Sequence, residues 1–168
     1  MTTLILTVAG SDRPGLVATV ADVVDAHGGN WESSQLAEIA GVFAGVIQVS
    51  VAAEHEDELH SALRGLDGLL SVSIHTGADA SDTAERPIAL QILGNDRAGI
   101  VREVSAVLHR HELSIQDMTT ETRDAAMAGG RLFEAAVAAT VPASADLAAL
   151  RADLERLTAE LQVDITLD

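Results

Sequence analysis

The 168-residue sequence has no cysteine, no lysine and no tyrosine, and its only aromatics are one Trp and two Phe. Without cysteine there are no disulfides, thiolate metal sites, redox motifs or cysteine nucleophiles. Without lysine there is no Schiff-base chemistry and no lysine-built phosphate site. Without tyrosine there is no phenolic acid or base. A core is still affordable at 48% hydrophobic content, but it has to be built from Leu, Val, Ile and Ala. Positive charge is equally scarce: 10 basic residues, all Arg, face 26 acidic ones, for a net charge of −16. That balance excludes ordinary direct nucleic-acid binding, which sets cations against phosphates. It also excludes autonomous adhesion to an anionic membrane. No run approaches the ~18–20 apolar residues of a membrane span. The apolar start, residues 2–8, lacks a basic flank and runs into Gly10-Ser11-Asp12, unlike a signal peptide. The expectation is a soluble cytoplasmic protein.

What is present is a duplication, the feature to seek first. Gly10-Ser-Asp-Arg-Pro-Gly-Leu-Val-Ala-Thr-Val20 recurs as Gly94-Asn-Asp-Arg-Ala-Gly-Ile-Val-Arg-Glu-Val104, at an offset of 84. Eight of the 25 positions from Gly10 to Ser34 are identical, among them Asp12/Asp96, Arg13/Arg97, Gly15/Gly99 and His27/His111. Past a longer loop in the second copy the offset becomes 90, matching Phe43 with Phe133 and Val51 with Val141. The stretch 77–87 is small, polar and acidic, ends in Pro87, and reads as a linker. The expected domains are 1–78 and 88–168 with a linker at 79–87. Divided after Arg86, the halves carry −10 and −6, so no basic domain hides behind the average.

Each copy repeats one order of elements. Short apolar runs at 4–8 and 88–93 read as strands. The helices that follow place Leu16, Val17, Val20, Val23 and Val24, or Ile100, Val101, Val104, Val107 and Leu108, on one face. Gly28-Gly29 stops the first helix. Strands are expected at 30–39 and 42–51, joined through Ala40-Gly41 as a hairpin, and at 114–122 and 132–141. Helices at 56–66 and 145–161 and strands at 70–76 and 163–167 complete the copies. The class is α+β: two ferredoxin-like βαββαβ domains, each a four-stranded antiparallel sheet with both helices on one face.

A βαββαβ unit that opens with strand, Gly-x-Asp-Arg-Pro-Gly-Leu-Val and helix, and closes that helix with Gly-Asn30, resembles the ACT domain. Two such domains in tandem are similar to the glycine cleavage system transcriptional repressor family. The resemblance implies a regulator that binds a small amino acid, glycine or serine, at ACT-domain interfaces. It implies contacts from the loop between first strand and first helix, here Asp12, Arg13, Pro14, Gly15 and Leu16, and from the Asn that begins the second strand, here Asn30. The second copy keeps Asp96, Arg97, Gly99 and Ile100. It departs at Ala98, where Pro is expected, and at Ser114, where Asn is expected, so the first copy is the better ligand candidate. The turn chemistry points the same way: a helix N-terminus with free N–H groups suits a carboxylate, and Asp12 suits an ammonium. The alternative is structural, with Asp12 capping the helix, Pro14 in its first turn and Gly15 giving close packing.

Other residues carry less. His109 and His111 point to different faces of a helix and cannot chelate one metal. His55 and His60 are five apart and fit no better. His27 and His111 sit at helix ends, where capping is the expected role. Trp31 is expected to pack. No nucleophile elbow, Walker motif or dinucleotide fingerprint occurs, so no enzyme, cofactor or metal is expected. The resulting expectation is a homodimer that senses an amino acid and controls a protein partner such as a DNA-binding regulator, without touching DNA itself. The alternative is a ligand-free assembly module.

Overall fold

In residues Thr2–Ser11 (β1) every second side chain is apolar, and Leu4, Leu6 and Val8 are buried. Period-two alternation buries one face of a strand, and the computed structural model repeats it through both copies. It describes residues 1–77, 85–125 and 129–168. The chain divides into two units, Met1–Ala80 and Ser81–Asp168. In the first unit β1 is followed by α1 (Leu16–Ala26), β2 (Asn30–Ile39), β3 (Val42–Val51), a 3-10 turn (Ala53–His55), α2 (Glu56–Arg64) and β4 (Ser71–Thr76). The second unit runs β5 (Glu85–Asn95), α3 (Ile100–Arg110), β6 (Ser114–Asp124), β7 (Arg131–Pro142), α4 (Leu147–Leu161) and β8 (Val163–Leu167). The sheets are antiparallel with orders β2-β3-β1-β4 and β6-β7-β5-β8. This is the expected βαββαβ architecture, twice.

Each unit has its own core, of Leu, Val and Ile with a few alanines and, among the described residues, a single buried aromatic, Phe133. Trp31 packs against the first core from its margin, as expected. The helices contribute a narrower stripe than the sequence suggested. Leu16, Val20 and Val24 are buried in α1, but Val17 is 45% exposed and its counterpart Val101 is 42% exposed. One residue step rotates a helix by about 100°, which carries these valines past the edge of the contact. Leu66 lies beyond the end of α2 yet still packs on the core. Helix α4 starts at Leu147 because Asp146 caps it, accepting from Ala148 N–H and Ala149 N–H at 3.0 Å each.

The first strands are longer than their apolar runs, β1 reaching Ser11 and β5 spanning Glu85–Asn95. The expected linker 79–87 therefore falls partly outside the described residues, and its last three residues, Glu85 to Pro87, open β5. The Ala40-Gly41 connection has positive φ at both positions, 52° and 83°, the signature of a tight two-residue hairpin turn. A bulge interrupts the β2–β3 pairing between Trp31 and Ser33, and the same bulge recurs between Ile115 and Asp117. Among the described residues no helix is long and apolar enough to cross a membrane.

Gly45 sits in β3 tight against β2: a Cβ there would lie 2.2 Å from Gln35 O and 2.7 Å from Leu36 Cδ2. The nearest atom is backbone and cannot swing away. Gly45→Ala is therefore expected to destabilise the first unit by at least about 2 kcal/mol through overpacking. Trp31, the sole tryptophan, reports this unit alone in a urea titration followed by fluorescence. An unchanged midpoint would contradict the close approach.

Candidate functional site

The β1–α1 loop is held from the strand side. Asp12 N–H donates to Gly41 O at 2.9 Å, tying the loop to the tip of the β2–β3 hairpin. At the other end Leu16 is buried, and Thr19 returns its N–H and its Oγ to Gly15 O, both at 2.9 Å. Gly15 is the N-cap residue, with φ 91°, and no side chain caps α1. The structural alternative for this loop does not hold. Asp12 makes no cap, and Pro14 precedes the cap residue instead of occupying the first turn. A Cβ on Gly15 would meet nothing within 4 Å, so glycine serves the left-handed backbone there and not close packing. Asp12, Arg13 and Pro14 are exposed. Neither Asp12 nor Arg13 has a side-chain partner among the described residues. The loop thus presents an uncapped helix start, one carboxylate and one guanidinium to solvent.

The second loop has the same backbone and a different charge state. Asp96 N–H donates to Arg131 O at 2.8 Å, and Gly99 caps α3 with φ 96°. Here Glu103 stands where the first copy has Thr19, and it draws Arg97 (3.4 Å) and Arg102 (3.6 Å) to the first turn of α3. Ile100 is buried, while Ala98 and Ser114 are exposed. The guanidinium that is free in the first loop is engaged in the second.

Asn30 does not join the loop within its own unit. Ile39 pairs with Val42 beside Ser11, whereas Asn30 pairs with Ser50 at the opposite end of the sheet. Ten strand residues at ~3.3 Å each separate the two ends by roughly 30 Å. Ser114 pairs with Thr140 at the corresponding end of the second sheet. At that end Asn30 Nδ2 donates to Glu32 Oε1 at 2.8 Å, and Ser50 Oγ donates to the same oxygen at 2.6 Å. Glu32 is the bulged residue, so its side chain leaves the ladder and reaches Ser50 across the strand. In the second copy Gln116 Nε2 donates to Thr140 Oγ1 at 3.2 Å in the same place. The sequence held no signal for this pairing, because it depends on the bulge.

The histidines divide. His27 Nδ1 donates to Val23 O at 2.8 Å and closes the end of α1, as expected. His111 is the C-cap residue of α3, as expected, with its N–H on the carbonyls of Val107 and Leu108, and its ring goes further: Nε2 donates to Asp153 Oδ2 at 2.9 Å, linking α3 to α4. That hydrogen bond, with Arg156 and Arg110 nearby, holds the Asp153 carboxyl below its ordinary value. Among the described residues no group of three or more His, Asp or Glu is placed to hold a metal ion. A concavity of about 560 Å³ lies on the helix-free face of the second sheet, lined by Gln91, Leu93, Thr119, Glu121, Glu134 and Thr166 among others. It contains none of the residues expected to bind ligand. Glu121 and Glu134 lie directly across from each other there, and Arg123 bonds Glu134.

Two family matches to the ACT domain cover residues 2–76 and 86–168. The chain belongs to the ACT domain family, and carries the domain in tandem. It is 27% identical over 161 residues to the glycine cleavage system transcriptional repressor of Escherichia coli (strain K12), covering 94% of this chain and 85% of that protein, and equally to that of Shigella flexneri. Among solved structures it is similar to a protein of unknown function from Galdieria sulphuraria, at 31% identity and a TM-score of 0.90 over 99% of this chain and 97% of that one. A second structure, provisionally described as a glycine cleavage system transcriptional repressor, shares the fold at 19% identity and a TM-score of 0.66, covering 99% and 96% of the two chains.

The Ser50 hydroxyl first, and the Asn30 amide second, keep the Glu32 carboxyl below its ordinary value of 4.5. A depressed folded value stabilises the fold above the unfolded one, and that contribution fades as pH falls through the folded value. Ser50→Ala should return Glu32 toward 4.5, and Asn30→Ala should do so by less. Carboxyl-carbon NMR titration measures both. An unmoved Glu32 titration in Ser50→Ala would refute the assignment.

Proposed function

We propose that this protein is a non-enzymatic regulator that binds a small amino acid, glycine or serine, through its first ACT domain and controls a protein partner. The observation that carries the reading is the first loop. In a chain that is ACT domain over nearly its whole length, it pairs an uncapped helix start with the unpartnered Asp12 and Arg13. Free N–H groups of Leu16 and the residues after it donate to an α-carboxylate, and the Arg13 guanidinium adds to that field. Asp12 takes the α-ammonium, and the small side chain of glycine or serine leaves Pro14 and Leu16 uncrowded. Asn30 lies too far from its own loop to reach such a ligand. It contributes only where the loop of one ACT domain faces the start of β2 in another, which fits a homodimer.

Ligand then acts by population shift. Binding favours the domain packing that completes the site, and a partner surface is exposed or hidden with it. The similarity to glycine cleavage system transcriptional repressors supports a role in repression. With a net charge of −16, that role runs through a DNA-binding partner, since the chain itself lacks the cations for operator contact. For the second copy a ligand-free assembly role is the alternative, favoured by the Arg97–Glu103 ion pair that already engages the guanidinium.

A thermal-shift screen against the twenty amino acids tests the reading. A ligand at 100 times its Kd stabilises the folded state by about 2.7 kcal/mol. Glycine or serine should raise the melting temperature, Asp12→Ala and Arg13→Ala should abolish the rise, and Arg97→Ala should preserve it. Both first-loop side chains are exposed and unpartnered, so their loss leaves the fold intact. Asn30→Ala is less informative alone, because it also unseats Glu32. No shift with any amino acid at millimolar concentration would overturn the sensor.

A further inference from the structure

We propose that the helix-free face of the first sheet is a self-association surface, occupied by the same face of a second copy of this chain. The inference deepens the homodimer part of the reading above and is independent of the ligand.

The first unit segregates its charge by layer. The helical side carries Asp22, Asp25, Glu54, Glu56, Asp57 and Glu58 against Arg64. The opposite face of the sheet has almost none. Its central row is Gln35, Val46, Thr7 and Ser73, in cross-strand register. The row beside it is Ser33, Gln48, Ile5 and His75, and on the other flank lie alanines and Ser71. Among the described residues the one carboxylate on this face is Glu32, at a corner and already held by Asn30 and Ser50. Apolar side chains are left out in solvent here: Ile39 is 74% exposed and Val46 44%.

Two copies of a chain with net charge −16 repel each other, and a two-fold contact brings identical patches together. Such a contact therefore needs a patch free of like charge. Serine, threonine and glutamine each carry both donors and acceptors, so a surface of these residues hydrogen-bonds to itself. The second sheet lacks this property. Its corresponding face sets Glu121, Glu134, Leu93 and Asp164 in one row, and two such faces would oppose carboxylates. The size is sufficient. Strands of ~33 Å at ~4.8 Å spacing give a face of roughly 600 Å². Two faces bury roughly 1,200 Å², the lower bound for a specific interface.

Sedimentation velocity of the full chain over a range of concentrations, at low and high salt, tests the assignment. The probe is Gln35→Glu/Gln48→Glu, which adds charge to the face without changing shape. The control is Gln91→Glu, the same change at the centre of the second sheet's open face. Wild type and Gln91→Glu should dimerise alike. The double variant should associate at least ten-fold more weakly, with part of the loss recovered at high salt as the charges are screened. Trp31 fluorescence and circular dichroism confirm that the first unit remains folded. A wild type that stays monomeric would overturn both the homodimer and the surface. A dimer untouched by the double variant, or weakened equally by Gln91→Glu, would overturn the surface and leave the homodimer standing.

Discussion

Each sheet is buried on one face only, under two helices, and the rest of the structure depends on that one-sided burial. The helices, of nine to fifteen residues, are too short to stand alone in water. They are held by Leu and Val side chains that each contribute about 1.5–3 kcal/mol on burial. With hardly any aromatics, the contact needs many aliphatic side chains in strict alternation. That alternation fixes the strand register. The register in turn fixes which ends of the sheet meet: Asp12 beside Gly41, and Asn30 beside Ser50. The geometry of the candidate site is a consequence of core burial.

The fold was legible because both periods were clean and stated twice. Leu4, Leu6 and Val8 alternate, and Leu150, Leu154, Leu157 and Leu161 recur at helical spacing. What stayed hidden depends on tertiary register. Gly10 and Ser11 pair in β1 and Glu85 to Pro87 in β5 without any apolar signal. Val17 and Val101 look like core in a linear pattern and lie just beyond the contact in three dimensions. The loop residues from Asp12 to Leu16 were legible as a unit. The separation of Asn30 from them was not, since only the strand order shows that β2 begins at the far end. His111 was placed at a helix end correctly, but its partner Asp153 lies 42 residues away on another helix.

The two copies show which parts of the unit are dictated by the fold and which are free. Backbone features repeat: the left-handed glycine at the N-cap, the loop bond to the facing hairpin segment, and the bulge in the edge strand. Chemistry at the same positions does not. Thr19 gives way to Glu103, Pro14 to Ala98, and Asn30 to Ser114, and the Glu32–Ser50 hydrogen bond becomes Gln116–Thr140. Two of these replacements, Thr19 by Glu103 and Glu32 by Gln116, keep the local backbone while changing its charge. In the loop, that change moves a guanidinium from solvent to an ion pair.

The same freedom governs the outward faces of the sheets. Inward positions are constrained to aliphatic residues, so they cannot distinguish the copies. Outward positions alternate with them and carry no such demand. On the first sheet they are filled mostly by Ser, Thr, Gln, Ala, Val and Ile, and on the second Glu121, Glu134 and Asp164, with Arg123, stand among Ala, Thr, Gln and Leu. A strongly acidic chain has every reason to place charge on an exposed sheet, because charge there keeps it soluble and apart from its copies. Leaving one sheet face nearly free of charge, with Glu32 alone at its corner, gives up that protection at one place only. The asymmetry between two copies of one fold is thus written on the surfaces that burial leaves undetermined.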